Sequence, residues 1–185
     1  MGLDIHVYPE VNFDERVSQE EGEENWGLYT YLYAHTGYPD RHEGIETGYY
    51  SKGDEGDDWG FRAGSYSGYS AWRRWLCTLV YGMDIEKFWD EAKEGPFWEL
   101  LNFSDCEGFI GPKTSAKLAG DFEDLFFALS AGSLEHLCSA LEGKEAPMDL
   151  PGRGEASSDP WLMEVAKEWH KAFRDAAHTG VVRFC

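Results

Sequence analysis

The hydrophobic period of the chain changes near residue 70, and this change constrains the fold more than any other feature. Before it, Leu3, Ile5 and Val7 alternate with Asp4, His6 and Tyr8, and the stretch Trp26 to Ala34 is aromatic and β-branched. Between His35 and Tyr69 a Gly recurs every few residues. Alternation puts every second side chain on one face of a strand, and Pro9 cannot continue a central strand. A strand ending at Pro9, a second one within 26–34, and loops with short strands up to residue 69 are therefore predicted.

After residue 70 the period becomes helical. Ser70 is placed to cap a helix carrying Trp72, Trp75, Leu76, Leu79 and Val80 on one side, with Arg73 and Arg74 on the other. Asp84 heads a shorter helix through Ile85, Phe88, Trp89 and Ala92, stopped by Gly95-Pro96. Pro112 and Thr114 open a longer one with Leu118, Phe122, Leu125, Phe126 and Leu129 at helical spacing, and residues 133–141 continue or follow it. Residues 146–158, with two Pro and two Gly and no period, predict a loop. Pro160 starts the clearest helix, striped by Trp161, Val165, Trp169, Ala172, Phe173 and Ala176, and Val181 to Phe184 predicts a closing strand. The expected class is α+β: a β-rich, Gly-rich N-terminal part packed on a helical C-terminal part, in a single domain spanning residues 1–185. At 185 residues with 8 Trp, 10 Tyr and 11 Phe there is ample material for a core, which argues against disorder despite a net charge of −19.

That charge is uneven. Residues 1–60 carry 15 Asp/Glu against 3 Lys/Arg, and residues 61–185 carry 20 against 13. The runs Glu20 to Glu24 and Asp54 to Asp58 read first as solvated loops, because crowded like charges repel, and an acidic loop is expected over residues 10–25. The second run lacks the ligand alternation of a calcium-binding EF-hand. A Lys/Arg deficit excludes a generic grip on nucleic acid, which needs phosphate neutralisation. Neither a secretory leader nor an apolar run long enough for a membrane span is present, so a soluble cytoplasmic protein with no membrane partner is expected. Cys77, Cys106, Cys138 and Cys185 form no CxxC pair, which argues against a zinc site or a disulfide framework. No metal and no cofactor is expected.

Two segments are candidates for function. In Phe61 to Ser70 small residues allow close backbone approach, and the following helix N-terminus supplies free N–H groups. Arg62 adds a forked charged donor, Ser65 and Ser67 add hydroxyls, and Tyr66 and Tyr69 add flat faces for a ring. The same residues also read as a tight structural turn. In Asn102 to Lys117, Asp105 and Glu107 point the same way if the chain is extended, and a second helix N-terminus carries Lys113 and Ser115. These carboxylates would bind a ligand or a metal, or would clasp backbone N–H groups or Arg62.

Met1 to Ile5, Arg41 to Gly44, Phe61 to Tyr69, Asn102 to Gly111 with Ser115 to Ala119, and Trp169 to Phe184 together resemble a family of uncharacterised small proteins of tailed phages and prophages. The likeness leaves residues 10–34 and 120–160 unmatched and brings no reaction with it. It implies the cytoplasm of an infected or lysogenic bacterium, where small phage proteins often block host defences. The leading expectation is then a non-enzymatic protein that sequesters a small anionic, nucleotide-like ligand at Arg62, Ser65, Tyr66, Ser67, Tyr69, Asp105, Glu107, Lys113 and Ser115. Two rivals stay open. One is an acidic DNA mimic that inhibits a host protein; the other is a small metal-dependent hydrolase using Asp105 or Glu107 with His6, His35 or His42. The oligomeric state is open, and a homo-oligomer is compatible with the sequence.

Overall fold

The computed structural model describes residues 2–53, 57–130 and 160–185 and shows an α+β protein. Strand β1 (Gly2–Tyr8) lies inside a four-stranded antiparallel sheet of order β5-β1-β7-β6, where β5 is Trp59–Ser65, β6 is Gly108–Ile110 and β7 is Val181–Phe184. The predicted alternation holds through Val7: Leu3, Ile5 and Val7 are buried, while Asp4 and His6 share the exposed face; Tyr8, on that same face, is buried. Asp4 pairs opposite Arg62, and His6 sits between Gly60 and Arg183. One extra residue, Ala63, bulges β5 between the Leu3–Gly64 and Asp4–Arg62 pairs, and Gly64 accepts the required φ of +123°.

Three helices cover the inner face of this sheet: α2 (Tyr66–Tyr81), α5 (Pro112–Ser130) and α6 (Pro160–Ala176). Trp169 is the hub of the core, with its ring stacked on Trp72 (centroids 5.8 Å apart) and Phe173 (5.5 Å) and tilted against Phe184 at 5.3 Å. Such offset and tilted arrangements suit the quadrupoles of aromatic rings. Trp161, expected in the same stripe, stays 45% exposed at the start of α6. Two short helices, α3 (Ile85–Glu91) and α4 (Trp98–Leu101), link α2 to β6. Four residues are too few to show a helical period, so α4 was not legible in the sequence.

The other face of the sheet is capped at one end by a second, three-stranded antiparallel sheet, β2-β4-β3, of Val11–Val17, Gly48–Lys52 and Tyr29–Leu32. Val11, Leu32 and Tyr50 from this sheet meet Tyr8, Phe109 and Val181 in a small separate core.

Two expectations are corrected here. Residues 10–25 are not a loop: they form β2 and the helix α1 (Gln19–Glu24), capped by Ser18 Oγ accepting from Glu21 N at 3.2 Å. Helix α1 rests Gly22 directly on the Tyr49 ring, where a Cβ would collide, so its glutamates face water and their repulsion is solvated. Helix α2 begins at Tyr66, not after Ser70, because Ser65 is its cap, accepting from Gly68 N at 3.0 Å. The expected helix over 133–141 and the loop over 146–158 lie outside the described residues.

Candidate functional site

Starting α2 five residues early adds Tyr69 to its buried face. The positions buried along it are Tyr69, Trp72, Arg73, Trp75, Leu76, Cys77, Leu79, Val80 and Tyr81, so the expected stripe is buried and the buried face is wide enough to take in Tyr69, Arg73 and Cys77 as well. Arg73, expected on the outward side, therefore lies inside, with 7% of its side chain exposed. Its Nη1 donates to the Phe103 carbonyl at 3.1 Å, and its guanidinium lies 4.7 Å from the Tyr69 ring centroid and 5.8 Å from that of Trp89. Nη2 stands 3.5 Å from Asp105 Oδ2. Nε, fully buried, has no hydrogen-bond partner.

Arg73 reaches the wall of a cleft of about 310 Å³. Tyr38 and Trp89 supply aromatic surface, Leu101 and Phe103 apolar surface, and Asn102, Ser104 and Asp105 the polar rim. The rim is fixed from below by a second buried cation. Arg41, 2% exposed, donates Nε to the Glu99 carbonyl (2.9 Å) and Nη2 to the Asn102 carbonyl (3.1 Å), with Trp98 against its guanidinium at 4.4 Å. Two arginines thus hold successive carbonyls of one segment, a use of the guanidinium fork that lysine cannot copy. Ser104 then turns the chain by accepting from Cys106 N (3.3 Å) and Glu107 N (3.1 Å).

That turn separates the two acids expected to point together. Asp105 lines the cleft and meets Arg73 rather than Arg62, whereas Glu107 is exposed and is not part of the lining. The α5 N-terminus does attract an anion, but the chain provides it. Glu43 accepts from Lys113 N at 3.2 Å and from Thr114 N at 2.6 Å. Glu43 and Gly44 both have positive φ (+57° and +86°), which swings the carboxylate onto the helix end. Lys113 and Ser115 are thus placed at a closed helix cap, and Ser115 is fully buried.

The 61–70 segment divides in the same way. Arg62 lies on the open face of the large sheet, over Gly2 and 3.9 Å from Asp4. Ser65 and Ser67 bond each other at 3.0 Å within the α2 cap, and Tyr66 is 37% exposed. None of these four lines the cleft. Tyr69 is not part of the lining either, but it lies next to it: wholly buried under Arg73, it has a hydroxyl without a partner, and burial pushes its pKa upward. Of the expected site residues, Asp105 alone lines the cleft, and Tyr69 is tied to it through Arg73. The sequence reading missed Arg73, Tyr38 and Trp89, and only Arg73 left a signal, as i+4 from Tyr69.

A second cavity, about 420 Å³, lies between Phe13, Tyr50 and the Glu43 to Glu46 turn, beside the exposed Arg16–Glu46 pair (2.5 Å). Among the described residues no three His, Cys, Asp or Glu are grouped to hold a metal ion, and no helix is long and apolar enough to cross a membrane. The ring of His35 packs 4.9 Å from Tyr38 while its Nδ1 accepts from Gly37 N, and His42 lies 6.0 Å from the Phe109 ring. Comparison with protein-family models, curated proteins and solved structures finds no match to this chain.

Proposed function

We propose that the chain binds, without transforming it, a small anionic ligand carrying a flat ring, of which a nucleotide is the leading class. The observation that carries this reading is the buried Arg73 guanidinium at the wall of an aromatic cleft, with one donor unmet. Leaving a buried charged donor unpaired is costly, and an oxyanion would remove that cost. The cleft volume is at the lower end of small-molecule sites, and Trp89 and Tyr38 offer faces for a ring. The likeness to phage proteins supports a setting in the cytoplasm of an infected bacterium, with capture of a host defence signal as the biological purpose. Calorimetry against a panel of nucleotides and cyclic nucleotides tests the reading. Binding that is lost in Trp89→Ala is the expected result, and absence of heat with every compound, the fold intact by circular dichroism, would overturn it.

A second reading, docking of the acidic face on a basic host protein, has its own observation. The acidic run 20–24 is ordered on α1, next to Trp26 (76% exposed) and Leu28 (61%). The three bases of residues 1–60 are all engaged, Arg16 with Glu46, Lys52 with Asp58, and Arg41 with backbone carbonyls. Salt-sensitive retention of a basic nuclease on the immobilised protein, abolished by reversing the charges of Glu20, Glu21, Glu23 and Glu24, is expected. Retention untouched by that reversal would remove this reading.

A further inference from the structure

The Arg73 guanidinium has an end that the chain uses fully and a side that it uses poorly. Nη1 is committed to the Phe103 carbonyl, whereas Nε is unpartnered and Nη2 is 3.5 Å from a single Asp105 oxygen. A charge-assisted N–H···O bond is normally about 2.7–2.9 Å, and the Nε/Nη2 side of arginine is a fork made for two oxygens of one oxyanion. Asp105 covers this fork without filling it. Its side chain is half exposed, it makes no other hydrogen bond or ion pair among the described residues, and it sits on the turn that Ser104 holds. The unpartnered Tyr69 hydroxyl is a second unmet donor in the same neighbourhood, buried beneath the guanidinium.

Resting on the binding reading above, we infer that Asp105 is a displaceable internal ligand of Arg73. The phosphate or carboxylate of the bound molecule takes the Nε/Nη2 fork with two oxygens, and Asp105 turns out to solvent at the rim. The site is closed by its own carboxylate until a better-fitting oxyanion arrives. This assigns Asp105 the role of competitor, opposite to that of a carboxylate accepting hydrogen bonds from a base or ribose, and the two roles predict opposite effects of one substitution.

Asp105→Asn keeps the size of the side chain and removes its charge. A competitor so weakened should let the oxyanion bind more tightly, by about two- to fivefold, since the lost contact is a half-exposed ion pair. The experiment titrates the full chain, as wild type, D105N and R73K, with inorganic phosphate, benzoate and the 3′,5′-cyclic mononucleotides. It reads calorimetric affinity and the ¹⁵N–¹H resonance of Arg73 Nε, assigned by its absence from R73K. Tighter binding by D105N, with the Nε resonance moving in both proteins, is the expected result. Phosphate alone moving that resonance identifies the oxyanion as sufficient, and benzoate alone moving it identifies a carboxylate on a ring. Unchanged or weaker binding by D105N overturns the competitor role while leaving the binding site standing. No binding of any probe to wild type or D105N, with Nε unmoved, overturns both.

Discussion

Asp121 shows how single residues carry this fold. On α5 it accepts from Phe97 N at 2.7 Å and from Lys117 Nζ at 3.0 Å, and Phe97 itself is held at φ +57°. Burial pushes the Asp121 carboxyl above the usual carboxylate range, against the pull of the Phe97 N–H and Lys117. Asp121→Ala strands the Phe97 N–H and leaves Lys117 only Glu99 and the Gly95 carbonyl, so a loss of about 2–3 kcal/mol in urea unfolding at pH 7 is expected. A carboxyl whose folded pKa is raised binds its proton more tightly in the fold than in the unfolded chain. Its contribution to stability therefore falls as pH rises from 3.8 through the folded value. Asp121→Asn keeps an acceptor for Phe97 and removes that slope; unfolding midpoints measured across this window, compared with wild type, check it. The thiols divide by the same physics. Burial pushes Cys77 up to about 12, while Cys106 is exposed, so a thiol reagent should label Cys106 of the native protein and leave Cys77 untouched. Mass mapping of the modified cysteine reads the outcome directly.

At the scale of elements, what the sequence revealed depended on length and on local chemistry. Strand β1 and helices α5 and α6 carry periods long enough to be read, and the structure places them where the pattern predicts. Helix α2 was legible as a helix but not in its start. Both Ser65 and Ser70 satisfy cap chemistry, and only the packing of Tyr69 beneath Arg73 and beside Trp169 decides between them. The site itself was hidden because the apolar stripe marked one buried side of α2, and nothing local showed that the distant Phe103 to Asp105 segment covers Arg73 as well. The cap of α5 was hidden for another reason. Glu43 lies seventy residues before Lys113, and no local pattern joins a left-handed turn to a distant helix end. Its role can be measured. Glu43→Ala leaves two N–H groups of α5 without an acceptor, with an expected cost of about 1–2 kcal/mol in chemical unfolding. Glu43→Gln, which keeps the acceptor and loses only the charge, should recover roughly half of it.

For the whole molecule, charge is the property that the fold reorganises. The acids from Glu10 to Glu46 are spread over β2, α1 and the turns around the small sheet, and the bases near them are engaged or buried. Glu10, Asp14, Glu15, Glu20, Glu21, Glu23 and Glu24 form no ion pair among the described residues. Their mutual repulsion is present in the fold and relaxes as the chain expands, so it works against stability. Elsewhere, exposed ion pairs such as Arg74–Glu86 and Lys167–Glu164 work the other way, but each contributes little. Added salt screens both effects, and over a Debye length near 10 Å at 0.1 M the many unpaired acids outweigh the few pairs. The urea midpoint at pH 7 should therefore rise between about 0.02 and 0.3 M sodium chloride, by roughly 1 kcal/mol of stability at most. The same titration on the protein with Glu20, Glu21, Glu23 and Glu24 changed to Gln should rise less. A wild-type midpoint that falls with salt would mean that the pairs outweigh the acidic face, and the electrostatic case for that face as a docking surface would go with it.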